Sequence, residues 1–150
     1  MRLLLIEDDE HKARQIIDYL KSDYNEHIDI NQKKSYQSGI KEALKNDYDI
    51  ILLDMSMPAF DRNPNQLSTN FRHFAGRDVL MELNRRNKII KTVIVTQFDV
   101  FGEGKNQMDA MDLDKHLEEK FPNIYQGMIH YNASLSNWKA ELLNSLNRLL

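Results

Sequence analysis

Short apolar runs alternate along this chain with stretches of helical periodicity. Leu3 to Ile6, Ile50 to Leu53 and Val93 to Val95 are continuous and bounded by polar residues. That is the pattern of strands buried on both faces of a parallel sheet. His27 to Ile30 and Met128 to Tyr131 are weaker runs of the same kind. Between them, Ala13, Ile16, Ile17 and Leu20 mark one face of a helix, as do Tyr36, Ile40, Ala43 and Leu44. Val79, Leu80 and Leu83 make a third stripe. Met108, Met111, Leu117 and Phe121 make a less regular fourth that stops at Pro122, and Leu135, Trp138, Leu142, Leu146 and Leu149 make the last. The order βαβαβαβαβα predicts an α/β fold, a doubly wound five-stranded parallel sheet with right-handed crossovers and helices on both faces.

Two connections exceed what such a fold needs. Residues 58–75 are polar, with only scattered apolar residues, and residues 97–106 carry Gly102 and Gly104. Both follow the carboxyl end of a strand, where doubly wound sheets bind ligands. Long loops there are expected to serve function, and the first is expected to be a lid or partner-recognition element rather than a subdomain.

Composition narrows the classes. A chain of 150 residues fits one domain, 1–150, and ending at its last helix it is expected to carry no output domain. Without cysteine there is no disulfide, thiolate metal site or thiol nucleophile. The 20 Lys+Arg against 23 Asp+Glu leave a formal charge of -3, so no basic field invites nucleic acid. The amino-terminal apolar run is too short for a signal peptide, and no run approaches the ~20 residues of a membrane helix. A cytoplasmic protein without a membrane partner is expected.

The chemistry gathers in acidic residues. Glu7, Asp8 and Asp9 follow the first strand and Asp54 directly follows the third. Those strands flank the switch point of a doubly wound sheet, so the carboxylates converge on one crevice. Such a cluster raises its own pKa values unless a cation compensates it, and Mg²⁺ prefers carboxylates, water and phosphate oxygens. Taken alone, Glu7 to Asp9 is equally explained as a solvated loop.

Leu4-Leu5-Ile6-Glu7-Asp8-Asp9-Glu10, Leu53-Asp54-Met55-Ser56-Met57-Pro58 and Val93-Ile94-Val95-Thr96 together resemble response-regulator receiver domains of two-component systems. The resemblance implies a flavodoxin-like sheet of order 2-1-3-4-5 with enlarged loops after strands 3 and 4. It implies Asp54 as phosphoacceptor, Asp9 and Asp54 as direct ligands of Mg²⁺ (or Mn²⁺), and Asp8 as a ligand through water. The Ser56 backbone carbonyl would complete the ligands, and Thr96 would donate its hydroxyl to the phosphoryl group. A histidine kinase or phosphotransferase would be the donor. A separate output protein or a homodimer would receive the signal, with no direct contact to nucleic acid. Receivers often signal through the fourth helix, fifth strand and fifth helix, which here carry Asp109, Asp112, Asp114, Glu118 and Glu119.

The chain departs from the family at the fifth strand. Receivers place a lysine there, followed by proline. Aligned on Gly127, this chain has Tyr131 at the lysine position, Asn132 at the proline position and Met128 at the aromatic switch position. Losing one preorganised donor costs about 10²–10³ in rate. Some other cation must then face the phosphoryl oxygens, and Arg62, Arg72, His73, Arg77 and Lys105 in the long loops are candidates. Three functions follow: a phosphoacceptor domain that is not otherwise an enzyme, a pseudo-receiver that binds partners without phosphate, and a Mg²⁺-dependent phosphatase or nuclease. The last lacks a second acidic pair, a general base and a phosphate-cradling Gly-rich motif.

Overall fold

In a computed structural model, described for residues 1–61 and 71–150, five parallel strands form one sheet in the order β2-β1-β3-β4-β5. They are β1 (Arg2–Ile6), β2 (Asp29–Lys33), β3 (Ile50–Leu53), β4 (Lys91–Thr96) and β5 (Tyr125–His130). The crossovers are α1 (Glu10–Tyr19), α2 (Tyr36–Lys45), α3 (Ala75–Arg85) and α4 (Ala110–Lys120), and α5 (Asn137–Leu149) follows β5. The flavodoxin-like order expected from the sequence is the order observed.

Strand alternation divides the core. Leu3, Leu5, Ile50, Leu52, Val93 and Val95 face α1 and α5, where they pack with Ile16, Trp138, Leu142 and Leu146. Leu4, Ile6, Ile51, Leu53 and Ile94 face the other way, against Ile40, Val79, Leu80, Leu83, Leu113 and Leu117 of α2, α3 and α4. Continuous apolar strands are what a sheet covered on both faces requires. No helix among the described residues is long and apolar enough to cross a membrane.

The weaker strands fall elsewhere than expected. β2 begins two residues later than the His27 to Ile30 run and extends through Asn31, Gln32 and Lys33. It is an edge strand, set by pairing Arg2↔Asp29 through Ile6↔Lys33, and its half-exposed positions accept polar side chains. β5 spans 125–130 rather than 128–131, so Tyr131 stands just beyond it. Met108 belongs to a short strand rather than the fourth helix: Met108–Asp109 pairs antiparallel with Val100–Phe101. Asp109 then caps α4 by accepting the Asp112 N–H at 2.8 Å, and Met111 is left exposed.

The first long connection is flanked by a similar two-residue ladder, Met57–Pro58 against Phe71–Arg72. The expectation for residues 58–75 falls mainly on 62–70, which lie outside the described residues. Next to the ladder, α3 starts directly beneath the loop that follows β3. The Gly76 N–H donates to the Met55 carbonyl at 2.9 Å, and a Cβ on Gly76 would stand 2.9 Å from the Asp54 carbonyl oxygen. Glycine is what permits that approach.

Candidate functional site

β1 and β3 pair in register, Ile6 opposite Leu53, so the residues just beyond them emerge side by side. The Glu7 N–H continues the ladder to the Lys33 carbonyl at 2.9 Å, and the Asp54 N–H donates to the Ile6 carbonyl at 3.0 Å. Both side chains are buried. Carboxylate oxygens of Glu7, Asp8 and Asp54 lie within 4.8 Å of one another. Three hard oxygen donors at one point suit a divalent cation such as Mg²⁺.

Asp9, expected as a direct ligand, is not among them. It is the N-cap of α1, where its Oδ1 accepts the backbone N–H groups of His11 at 3.0 Å and Lys12 at 3.1 Å. The helix begins one residue after the acidic run, and the third acid supplies the cap. Glu7 joins Asp8 and Asp54 in its place. The continued ladder signals this, because Glu7 lies two residues beyond Leu5 and shares its inward-facing parity.

Sequence reasoning missed the most consequential residue, Lys12. Its side chain is 1% exposed, and its ammonium lies 2.6 Å from Glu7 Oε1 and 3.3 Å from Asp54 Oδ1. It also donates to the Val95 carbonyl at 2.6 Å. Lys12 stands one turn before Ile16 on the buried side of α1, a position at which an aliphatic residue would serve packing. A lysine continuing an apolar stripe just after an acidic run was the available signal. Burial pushes the Glu7 carboxyl up to about 8, with repulsion from Asp54 adding and attraction to Lys12 opposing. For Lys12, burial alone would favour the neutral amine, but Asp54 and Glu7 outweigh it and hold the ammonium above its usual range.

The remaining expected residues take definite places. Ser56 is buried two residues beyond Asp54, and its hydroxyl donates to the His73 carbonyl at 2.8 Å, tying the acceptor loop to the entry of α3. Thr96 ends β4, fully buried, with its Oγ1 accepting the Phe98 N–H at 3.2 Å. The Tyr131 N–H donates to the Thr96 carbonyl at 2.7 Å. Its ring, however, turns into the α1/α5 layer beside Trp138, and its hydroxyl donates to Gln15 Oε1.

Three of the loop cations face neighbours other than Asp54, and Lys105 is exposed in the turn at Gly104–Asn106. Arg72 pairs with Asp78 at 3.4 Å and lies over the Tyr36 ring, Arg77 lies over Phe74, and His73 stands 3.4 Å from Glu103. Arg62 lies outside the described residues. Two acids of the α4 region are structural: Asp109 is a cap, and Asp114 accepts the Tyr125 hydroxyl. Beside the carboxylates, a cleft of about 570 Å³ opens between Asp8, Glu10, Gln32, Lys33, Lys34 and Asp61.

The fold and this acidic crevice at the strand ends define the class, a flavodoxin-like receiver. No protein-family model matches the sequence. The chain is 30% identical to the Detocs response regulatory protein DtcB of Enterobacter cloacae over 151 residues, covering 99% of this chain and all (100%) of that one. It is 28% identical to the uncharacterized protein y4jR of Sinorhizobium fredii, over 97% of this chain and 96% of that protein. A solved structure of the response regulator TrrA from Thermotoga maritima, in complex with Mg²⁺-BeF, aligns with TM-score 0.63 at 16% identity, over 99% of this chain and 98% of that one. The chain belongs to the response-regulator receiver family of two-component signalling.

Proposed function

We propose that the chain is a phosphoacceptor domain in which Asp54 takes a phosphoryl group from a histidine kinase, a phosphotransferase or a small phosphodonor. One observation carries the reading: Asp54 stands buried at a strand end beside two further carboxylates, within reach of a buried ammonium. A carboxylate oxygen of Asp54 attacks phosphorus. The bond from phosphorus to the donor's leaving group breaks, its electron pair departs with that group, and an aspartyl-phosphate remains.

Asp8 and Asp54 would hold Mg²⁺ or Mn²⁺, with Glu7 close enough to assist and the Ser56 carbonyl completing the protein ligands. A divalent ion supplies neutralisation of charge on the transferring oxygens. Buried Thr96, at the end of the neighbouring strand, would donate its hydroxyl to the phosphoryl group. The cleft between Asp8, Glu10 and Lys34 is the approach for the donor. The signal would then leave by surface contact with a separate output protein or a second copy.

Intact-mass measurement after incubation with acetyl phosphate and Mg²⁺ tests this. One phosphoryl group should add to the wild type and none to Asp54→Asn. A folded wild type that never gains that mass would return the chain to the pseudo-receiver class.

A further inference from the structure

We propose that Lys12, contributed by α1, is the cation that holds the phosphoryl group on Asp54, in place of one from the end of β5. The inference rests on the reading of Asp54 as acceptor. Burying an ammonium is costly unless it is paired and hydrogen-bonded, and an aliphatic residue would fill the same stripe of α1 without that cost. Lys12 is nonetheless fully enclosed, and its three acceptors are all at the strand ends: Glu7 at 2.6 Å, the Val95 carbonyl at 2.6 Å and Asp54 at 3.3 Å.

An ammonium has three protons to donate. Two short bonds to Glu7 and Val95 anchor Lys12, and the longest contact is the one to Asp54. That third N–H is the one able to turn its hydrogen bond from Asp54 to a phosphoryl oxygen. Turning the Asp54 carboxylate into an acyl phosphate adds about one negative charge at the end of that contact, which strengthens a charge-assisted bond there. Lys12 keeps its proton throughout and acts only as a donor.

Position agrees. The ammonium lies 5.8 Å from the centre of the Tyr131 ring, beside the residue that stands where a fifth-strand lysine was expected. Tyr131 turns its hydroxyl to Gln15 instead, and Arg72, His73 and Arg77 have partners away from Asp54. Among the described residues, Lys12 is the cation in ion-pair contact with Asp54. A competing account makes the ammonium a plug, an internal counter-ion that merely neutralises the carboxylates and excludes metal.

Beryllofluoride with Mg²⁺, followed by NMR, separates the two. Lys12→Met should bind beryllofluoride about 10²-fold more weakly than the wild type, the loss of one preorganised donor. The same variant should bind Mg²⁺ alone as tightly or more tightly, because a nearby positive charge has gone. Adding Tyr131→Lys to Lys12→Met should restore part of the beryllofluoride affinity by returning a lysine to the end of β5. In the wild type, the slowly exchanging Lys12 ammonium resonance should shift on adding beryllofluoride beyond its shift with Mg²⁺. That measurement holds even if Lys12→Met fails to fold. Equal or tighter beryllofluoride binding by folded Lys12→Met overturns the inference and leaves Asp54 as acceptor. An unmoved Lys12 resonance in a wild type that binds the mimic does the same. A wild type that binds no mimic removes both readings.

Discussion

The Tyr131 hydroxyl donates to Gln15 Oε1 at 2.5 Å, tying the end of β5 to the middle of α1. Tyr131 is buried against Trp138, so this bond lies at the edge of the α1/α5 layer. Tyr131→Phe keeps the ring and removes the bond, and should cost about 1 kcal/mol of stability in denaturant unfolding. Mg²⁺ affinity should be unchanged, since the hydroxyl faces Gln15 rather than the carboxylates. A clear fall in metal affinity would mean that the tyrosine serves the site after all.

The inner strands and the stripes of α1, α2 and α3 were legible because burial on both faces writes continuous apolar runs and 3.6-residue periodicity into the sequence. By contrast, Met108 of the fourth stripe lies in a short strand, Met111 is exposed, and Leu135 of the last stripe is exposed ahead of α5. The edge strand was not, since Asn31, Gln32 and Lys33 pair through the backbone and leave little trace in hydrophobicity. The acidic crevice was legible from strand order, but the roles of individual acids were not. Whether Asp9 binds a metal or caps a helix depends on where α1 starts, and helix starts are uncertain by a residue or two. Lys12 was hidden because a lone lysine near a helix start reads as solvated, and only the assembled sheet brings Glu7, Asp54 and Val95 around it.

Gly76 should prove intolerant of a side chain. A Cβ there would lie 2.9 Å from the Asp54 carbonyl oxygen and 3.0 Å from Met55 Cα, both backbone atoms that cannot rotate away. Gly76→Ala should therefore cost about 1–3 kcal/mol as an overpacking change, read from thermal or denaturant unfolding. The strain falls on the acceptor loop, so Mg²⁺ affinity should drop with stability. Gly104→Ala offers the contrast, since a Cβ there meets nothing within 4 Å. Its cost should come only from the left-handed backbone, φ 56°, with metal binding untouched.

Stability in acid should depend on Glu42. Its carboxylate accepts the Tyr48 hydroxyl at 2.6 Å and the amides of Asn46 at 2.8 Å and Asn31 at 3.1 Å. The Tyr48 bond holds its pKa below the usual carboxylate range, against the opposing effect of burial and with help from the two amides and Lys33. The folded state thus binds this proton less readily than the unfolded chain. The resulting stability is present above the unfolded value near 4.5 and is lost as pH falls through the lower folded value. Melting temperatures of wild type and Glu42→Gln should differ at pH 7, and the gap should close as pH falls through the lowered folded value. A gap that never narrows across the whole acid range down to acid unfolding would show that the variant acts through packing or altered neutral hydrogen bonds.

Neighbouring acids should separate cleanly under substitution. Asp9 caps α1 through two backbone N–H groups, whereas Asp8 offers its oxygen to the Glu7 and Asp54 cluster. Asp9→Ala should therefore lower stability by about 1 kcal/mol, the usual cost of losing an N-cap, with Mg²⁺ affinity close to that of the wild type. Asp8→Asn should do the reverse, weakening Mg²⁺ binding with a small effect on unfolding. Asp54→Asn should weaken it too while keeping the fold. Isothermal titration with Mg²⁺, beside denaturant unfolding without metal, reads both quantities for each variant. If Asp9→Ala abolishes metal binding while Asp8→Asn does not, the roles are exchanged and Asp9 must leave the helix cap when the ion arrives. The cap bonds make that exchange costly, because freeing Asp9 would leave the His11 and Lys12 N–H groups without their acceptor at the start of α1.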